Sequence, residues 1–352
     1  MSHTKVFVTG ASGFVGLHLV KFLLEAEMMV VACLRQSSEQ EELLALQNLY
    51  PRTLKIFHCD ISQTALLRQG MSDSDCVVHT AARIEPIGKT NVCKNVNVDG
   101  TKAVLDAAKK AKVKQLIHLS SLSVITGEAD CYALTEEEPY HYSREIYANS
   151  KIDAERLVME DQNLGDLKVT ALRPGFIYGA KERHWMPQMI KAFREHRVMM
   201  VGDGSKETNV VFVENLCRAI ALSLLNPKAY GQIFNITDGQ RVSKRQLFDT
   251  ICDALGEPRV KISVPPFVAR LVVEAATLVS PASRSAYRLF AVNQGFSIAK
   301  AERELNYTDR INFATGMASA MTYFKDSASD RSDKKTVQES VEGKSPRPIY
   351  GE

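Results

Sequence analysis

Long hydrophobic runs, paired cysteines and an excess of charge of either sign are all missing from this 352-residue chain. No stretch approaches the ~20 unbroken apolar residues that a membrane-crossing helix needs, so no transmembrane span is expected. Lysine and arginine number 44 against 41 aspartate and glutamate, a net charge of +3. That is too small to make nucleic acid or an acidic membrane the main partner. The seven cysteines, at 33, 59, 76, 93, 131, 217 and 252, are odd in number and lack CxxC spacing. They read as buried free thiols in a reducing compartment rather than as disulfides or zinc ligands. His141 and His184 have no carboxylate partners at ligand spacing, so no metal site is expected. A glycine-rich turn begins by residue 10, where a signal peptide would otherwise run, and the expected location is the cytoplasm. What remains is an apolar fraction of 45% with 24% charged residues, enough for a sizeable core.

Short β-branched runs alternate with longer helical patterns through the first two-thirds of the chain. Lys5–Thr9, Met29–Leu34, Thr53–His58, Cys76–Thr80, Gln115–Ser121 and Lys168–Arg173 read as strands. Gly13–Glu27, Glu39–Asn48, Thr64–Gly70, Asn97–Lys110 and Ile146–Glu160 carry helical apolar spacing. This alternation predicts an α/β fold, a doubly wound parallel sheet with right-handed crossovers. After Arg173-Pro174-Gly175 the rhythm changes. Helices are expected at Pro187–His196, Glu214–Leu225, Ser243–Leu255, Pro266–Leu278 and Ala299–Leu305, with short strands near Gln232–Ile236 and Val260–Val264. The expected organisation is a dinucleotide-binding domain over 1–175 and a smaller, mostly helical lobe over 176–325 interleaved with the last strands. A polar tail over 326–352 reads as disordered. The apolar segment Phe267–Val279 carries Arg270 and Glu274 one turn apart and reads as a helix packed on the lobe.

Val6-Phe7-Val8-Thr9 runs into Gly10, Gly13 and Gly16, followed at once by a helical pattern. Gly10 allows the tight turn, Gly13 lets backbone approach a pyrophosphate, and Gly16 permits close helix–strand packing. The helix that follows would face phosphates with unpaired N–H groups. An NAD enzyme usually places an acid at the end of the second strand to hold the ribose 2′-hydroxyl. Here that strand ends Leu34-Arg35-Gln36-Ser37-Ser38, with no acid before Glu39. Arg35, helped by Ser37 or Ser38, suits a 2′-phosphate, so NADP(H) is favoured and NAD(H) remains possible. Asp60, after the third strand, reads as a partner for the adenine amino group, as a cap for a helix near Ser62–Arg68, or as both. His79 is expected to pack near the cofactor rather than act as a base.

Tyr147 and Lys151 stand one helical turn apart, on one face of their helix. A tyrosine with its pKa near 10 is a poor acid or base at neutral pH. A neighbouring ammonium, with the positive nicotinamide, is expected to stabilise the phenolate and lower that pKa. Lys151 can also hold the nicotinamide ribose. Ser120-Ser121, ending the fifth strand, supplies a hydroxyl to polarise a carbonyl.

In order along the chain, Thr9-Gly-Ala-Ser-Gly-Phe-Val-Gly16, Val78-His-Thr-Ala-Ala82, Asn97-Val-Asp-Gly-Thr101, Leu119-Ser-Ser121, Tyr147-xxx-Lys151 and Leu172-Arg-Pro-Gly-Phe-Ile-Tyr-Gly179 resemble the extended short-chain dehydrogenase/reductase superfamily, which includes epimerases and dehydratases. The resemblance covers about residues 4 to 325. It implies a Rossmann domain with Tyr147 as acid/base, Lys151 as its partner and Ser121 as the polarising hydroxyl, Ser120 or Ser123 being alternatives. It further implies cofactor contacts from Thr9, Gly10, Ser12, Gly13, Phe14, Val15, Gly16, Arg35, Asp60, Ile61, Thr80, Ala81, Ala82, Asn97, Tyr147, Lys151, Pro174 and Gly175. Relatives of this fold often dimerise through the helices bearing Asn97–Lys110 and Ile146–Glu160, which makes a homodimer a family-level expectation.

Within that superfamily, sugar-nucleotide enzymes carry an arginine for the diphosphate where this chain has Thr208, although Lys206 could substitute. Phe212-Val-Glu-Asn215 resembles the 3β-hydroxysteroid dehydrogenase-like branch. Ile84, Ile87, Tyr140, Tyr142, Phe176, Trp185, Met186 and Met189 give the presumed substrate loops an apolar, aromatic character that suits an apolar ligand. Ile84, Phe176, Trp185 and Met189 are the candidate substrate contacts. The expected activity is interconversion of a ketone and a secondary alcohol on a steroid-like or long-chain β-keto substrate with NADP(H). The alternatives are a nucleotide-sugar epimerase or dehydratase with retained NAD, and a non-catalytic NADP(H) sensor.

Overall fold

Strand β1 (Lys5–Thr9) runs through the middle of a seven-stranded parallel sheet with β2 (Met29–Leu34), β3 (Leu54–His58), β4 (Cys76–His79), β5 (Gln115–Leu119), β6 (Lys168–Pro174) and β7 (Gln232–Ile236). In this computed structural model residues 4–84, 90–127, 129–143, 145–161, 165–277 and 290–326 are described. The strand order is β7-β6-β5-β4-β1-β2-β3, with every neighbour parallel. The chain therefore reverses its winding between β1 and β4, which opens a crevice at their C-terminal ends.

The alternation of side chains along β1 explains why both faces must be covered. Val6 and Val8 enter one apolar layer and Phe7 the other. On the first face α1 (Phe14–Glu25) packs against the helix Val213–Ser223; on the second, α2 (Thr64–Gly70) packs against the helix Gly100–Lys110. The first layer extends from Val6 to Met321 without a break, so residues of both halves of the chain share one core. The last strand, β7, comes from the second half and closes the sheet beside β6.

Most expected elements form within a residue or two of their predicted ends, and the exceptions have physical causes. β5 stops at Leu119 because Ser121 leaves the strand to cap a short turn at Leu122–Val124, its hydroxyl accepting the Ser123 N–H at 3.1 Å. The helix expected from Asn97 begins at Thr90 and passes through a π-helical turn at Asn95–Asp99 before Gly100–Lys110; such turns recur at functional sites. We label this whole 90–110 helix α3 and the helix Ile146–Asp161 α4. A helix over 313–326 was not anticipated, although Phe313, Met317, Ala320 and Met321 are buried at helical spacing. The short strands Cys131–Leu134, Phe176–Tyr178 and Gln294–Phe296 were also missed. Each is too brief for a periodicity and exists through its partner strand.

The apolar helix Pro266–Thr277 departs from expectation more sharply. It is tied to the lobe at its start, where Ser263–Val264 pairs with Met200–Val201. Phe267, Leu271 and Val272 nevertheless stand 68%, 63% and 60% exposed, so it is not packed on the lobe as expected. The end of the predicted segment, from Leu278, lies outside the described residues, as does the tail beyond Asp326.

His79 and His118 are register partners on β4 and β5, with ring centroids 5.6 Å apart and both fully buried. Burial, reinforced by the Lys151 charge, lowers the pKa of His79 to about 3 and that of His118 well below its ordinary value. The unfolded chain would protonate both near pH 6.5, so stability is full above that pH and falls as pH drops toward 3. Each ring should cost about 1.4 kcal/mol per pH unit in that window. Urea unfolding at pH 7 and pH 5 should show this loss, and His118→Phe should remove about half of the histidine share.

Candidate active site

At the head of β1 the backbone itself prescribes glycine. Gly10 has φ +69°, and a Cβ there would meet the Ala81 backbone at 2.8 Å. A Cβ at Gly16 would fall 2.1 Å from the Gly10 carbonyl oxygen, so only hydrogen fits between turn and helix. The turn closes through the Gly13 N–H to the Gly10 carbonyl at 2.9 Å. No side chain caps α1, whose first N–H groups stay directed at the crevice. Ser12, Phe14 and Val15 belong to this same turn and first helical residues. Beside them the Thr80 hydroxyl donates to the Thr9 carbonyl at 2.7 Å, placing Thr80, Ala81 and Ala82 along the same edge.

Arg35, Gln36 and Ser37 form an exposed turn at the end of β2. Asp60, across from it, accepts the Ser62 N–H at 2.9 Å and the Ser62 hydroxyl at 2.7 Å. Those bonds, then Arg35, hold its carboxyl below the usual range. Of the two readings of Asp60, the structure realises a local turn before α2 rather than a cap on that helix, leaving Ile61 to follow it along the crevice.

Ser120, Ser121 and Ser123 are distinguished by their protons. The Ser120 hydroxyl is buried without a hydrogen-bond partner. Ser123 donates its proton to the Ser121 oxygen at 2.9 Å, on top of its N–H. Ser121 thus accepts twice and keeps its own proton, and it is the serine that hydrogen-bonds Tyr147. Lys151 is buried, and its ammonium donates to the Leu119 carbonyl at 2.8 Å. Desolvation lowers its pKa to about 8 against the pull of Glu155, one turn further along α4.

The expected lowering of the Tyr147 pKa by Lys151 does not occur in the free chain. Desolvation first, then the neighbouring Cys93 thiol, push it up to about 12 against the Ser121 hydrogen bond. The Lys151 ammonium gives one of its three N–H donors to the Leu119 carbonyl.

Asn97 lies in the π-helical turn with its amide committed to protein. Its Nδ2 donates to the Arg83 carbonyl at 3.0 Å and the Ser150 hydroxyl at 2.9 Å, and its Oδ1 accepts the Arg83 N–H at 2.7 Å. It therefore braces the Arg83 loop against α4. Pro174 and Gly175 end β6 on the same side of the sheet. Among the candidate substrate contacts, Ile84 is 49% exposed and Phe176 is half-buried. Trp185 packs edge-on to Phe176, and its indole N–H is taken by the Ile177 carbonyl at 2.9 Å. Met189 is buried with Met186 in the core. Tyr140 and Tyr142 donate their hydroxyls to Glu155 and Asp153. Ile87 lies outside the described residues.

Two features escaped the sequence reading. Glu182 caps the helix Met186–Arg194 by accepting the N–H groups of His184, Trp185 and Met186. Glu155 and Arg173 form a fully buried ion pair, with guanidinium nitrogens donating to the carboxylate at 2.5–3.1 Å. It joins α4 to the end of β6, just before Pro174. The spacing Lys151-xxx-Glu155, which places the acid one turn from the lysine, was the available signal.

Among proteins built on a doubly wound sheet, the NAD(P)-dependent dehydrogenases and reductases of the extended short-chain type set serine, tyrosine and lysine beside a glycine-rich dinucleotide turn, and this chain is one of them. More narrowly, it belongs to the 3-beta hydroxysteroid dehydrogenase/isomerase family, whose sequence model matches residues 7–265. It is 28% identical over 323 residues to the 4-hydroxy-2-methyl-3-oxo-4-farnesyl-3,4-dihydroquinoline-1-oxide ketoreductase of Stigmatella aurantiaca, covering 89% of this chain and 94% of that one. It is 27% identical over 346 residues to a 3 beta-hydroxysteroid dehydrogenase/Delta 5-->4-isomerase of Mycobacterium tuberculosis, covering 91% and 90%. In fold it is similar to the dTDP-glucose 4,6-dehydratase DesIV of Streptomyces venezuelae, solved with NAD and TYD bound. That match has a TM-score of 0.75 and 24% identity, over 92% of this chain and 97% of that one. No described helix is long and apolar enough to cross a membrane.

Removing one partner of the Glu155–Arg173 pair should strand a buried charge, at about 3–5 kcal/mol. Urea unfolding should therefore find Glu155→Gln strongly destabilised. Glu155→Leu combined with Arg173→Met should recover most of that loss.

Proposed function

We propose that the chain is an NADP(H)-dependent oxidoreductase that interconverts a ketone and a secondary alcohol on an apolar substrate, steroid-like or a long-chain β-keto compound. The observation that carries this reading is the proton order at Ser121, which accepts from Ser123 twice and keeps its own hydroxyl proton beside Tyr147. A cofactor cradle closed to any Cβ at Gly16, and an uncapped helix behind it, fit a dinucleotide pyrophosphate. Thr9, Gly10, Ser12, Gly13, Phe14, Val15 and Gly16 would hold the phosphates. Asp60 and Ile61 would border the adenine, and Thr80, Ala81, Ala82, Pro174 and Gly175 the remainder. When bound, the nicotinamide supplies or accepts hydride.

In reduction, Ser121 donates to the ketone oxygen and polarises it. Tyr147 gives its proton to the same oxygen as negative charge develops there. With its pKa near 12 the phenol is protonated at neutral pH, and charge developing on the ketone oxygen must draw that proton off. The phenolate left behind would be stabilised by the Lys151 ammonium, which keeps two N–H donors beyond the one given to the Leu119 carbonyl. Exposed Arg35, whose guanidinium acts on Asp60 without a direct ion pair, and exposed Ser37 support a 2′-phosphate. Ketoreductase and steroid dehydrogenase relatives support the apolar substrate class.

The epimerase or dehydratase reading draws on the fold neighbours solved with NAD and nucleotide sugars. It is disfavoured because Lys206, the one substitute cation, is committed to Asp130 and the Ala291 carbonyl, both at 2.9 Å. Thr208 carries no charge for a diphosphate. The sensor reading leaves the Ser121–Tyr147–Lys151 set without a purpose.

Tyr147→Phe should lower turnover by about two to four orders of magnitude with NADPH binding retained. Near-normal turnover would remove Tyr147 from the reaction. Fluorescence titration should find NADPH bound more tightly than NADH, with Arg35→Ala weakening NADPH by roughly tenfold or more and leaving NADH unchanged. Tighter NADH, or NAD⁺ carried through purification, would favour the epimerase branch.

A further inference from the structure

Thr9 and His79 are register partners at the C-terminal ends of β1 and β4. From them a line of hydrogen bonds crosses to the catalytic helix, and its direction follows from counting protons. The Thr101 hydroxyl donates to the Asn97 carbonyl at 2.6 Å, so toward His79 it can only accept, and His79 Nε2 is the donor at 3.0 Å. A neutral ring then has a bare Nδ1, which accepts the Thr9 hydroxyl at 2.8 Å. Thr9 in turn accepts the Ala81 N–H at 3.4 Å. Beyond Thr101 the line continues in the same sense. Asn97 donates through Nδ2 to Ser150 at 2.9 Å, and Ser150 donates to the Tyr147 carbonyl at 2.7 Å. Thr9, His79, Thr101, Asn97 and Ser150 are all buried, and each of these five side chains has a hydrogen-bond partner.

We propose that His79 is a positioning residue that couples the glycine-rich turn to the helix bearing Tyr147 and Lys151. Thr9, His79 and Thr101 donate head to tail in a low-dielectric interior as far as the Asn97 main-chain carbonyl. The Asn97 side chain fastens α3 to Ser150 on α4, so a shift at Thr9 is carried to α4 by displacement of these partners. The tie spans elements that the sheet alone does not connect, since Thr101 and Asn97 sit on α3 and Ser150 on α4. The ring stays neutral over the working range, with burial as the main cause, so the proton order does not reverse with pH. The inference rests on the reading of this crevice as an NADP(H) site.

The test is hydrogen exchange of the full chain, with and without NADPH, together with NADPH dissociation constants. In the natural protein NADPH should slow exchange both at residues 10–20 and at residues 146–152. Thr101→Val cuts the line below His79 and should keep protection at 10–20 while losing about fivefold or more of it at 146–152. His79→Leu, cutting both arms, should in addition weaken NADPH binding about fivefold or more. His79→Gln, which keeps a donor toward Thr101, should restore part of the protection at 146–152. A merely structural role would lower melting temperature and raise exchange equally with and without NADPH, and that result overturns the coupling. Unchanged protection at 146–152 in both Thr101→Val and His79→Leu overturns it too, while leaving the cofactor reading intact. Failure of the natural chain to bind NADPH or NADH would overturn the cofactor reading, and the coupling with it.

Discussion

The pairing of β1 with β4 is the constraint on which the site depends. Because these strands are parallel and in register, Thr9 and His79 end side by side, and the chain must leave the sheet there in opposite directions. One exit becomes the glycine turn and α1; the other becomes the Thr80–Ala82 edge. Their closeness leaves no room for a Cβ at Gly10, and the helix that follows leaves none at Gly16. The phosphate cradle is thus the space left by close backbone packing, with N–H groups lining it.

The catalytic group depends on a second constraint, the burial of charge beneath it. Lys151, Glu155 and Arg173 are all buried, and each is held by a named partner: the Leu119 carbonyl, the guanidinium and the carboxylate. Buried ions without partners are expensive, so this line of charges fixes where α4 sits against β5 and β6. Tyr147 and Ser121 gain their relative position from the same arrangement. The high pKa of the phenol in the free chain follows from its desolvation first, with the Cys93 thiol adding to it.

Much of this was legible in the chain. The strand–helix alternation, the GxxGxxG turn and the Tyr147/Lys151 spacing each rest on a local period, and local periods survive folding because the sheet and helices obey them. The serine was assigned to Ser121 by resemblance, with Ser120 and Ser123 as alternatives, since the three have the same chemistry in sequence. Helix 313–326 and the short strands were missed because they owe their form to partners distant in the chain. Met189 was expected on a helix, but spacing alone did not show that this helix turns it into the core, nor that the Ile177 carbonyl takes the Trp185 indole N–H.

The sequence by itself determined the class of fold, and pointed to Gly10–Gly16 as the candidate dinucleotide turn and to Tyr147 and Lys151 as candidates, because spacing along one strand or helix dictates which side chains share a face. Tertiary structure decided which serine keeps its proton, that Asn97 braces the Arg83 loop against α4, where the Lys151 ammonium points and that Tyr147 starts as a strong holder of its proton. Those outcomes depend on hydrogen-bond partners and desolvation supplied by segments far apart in sequence, and only the packed sheet brings them together.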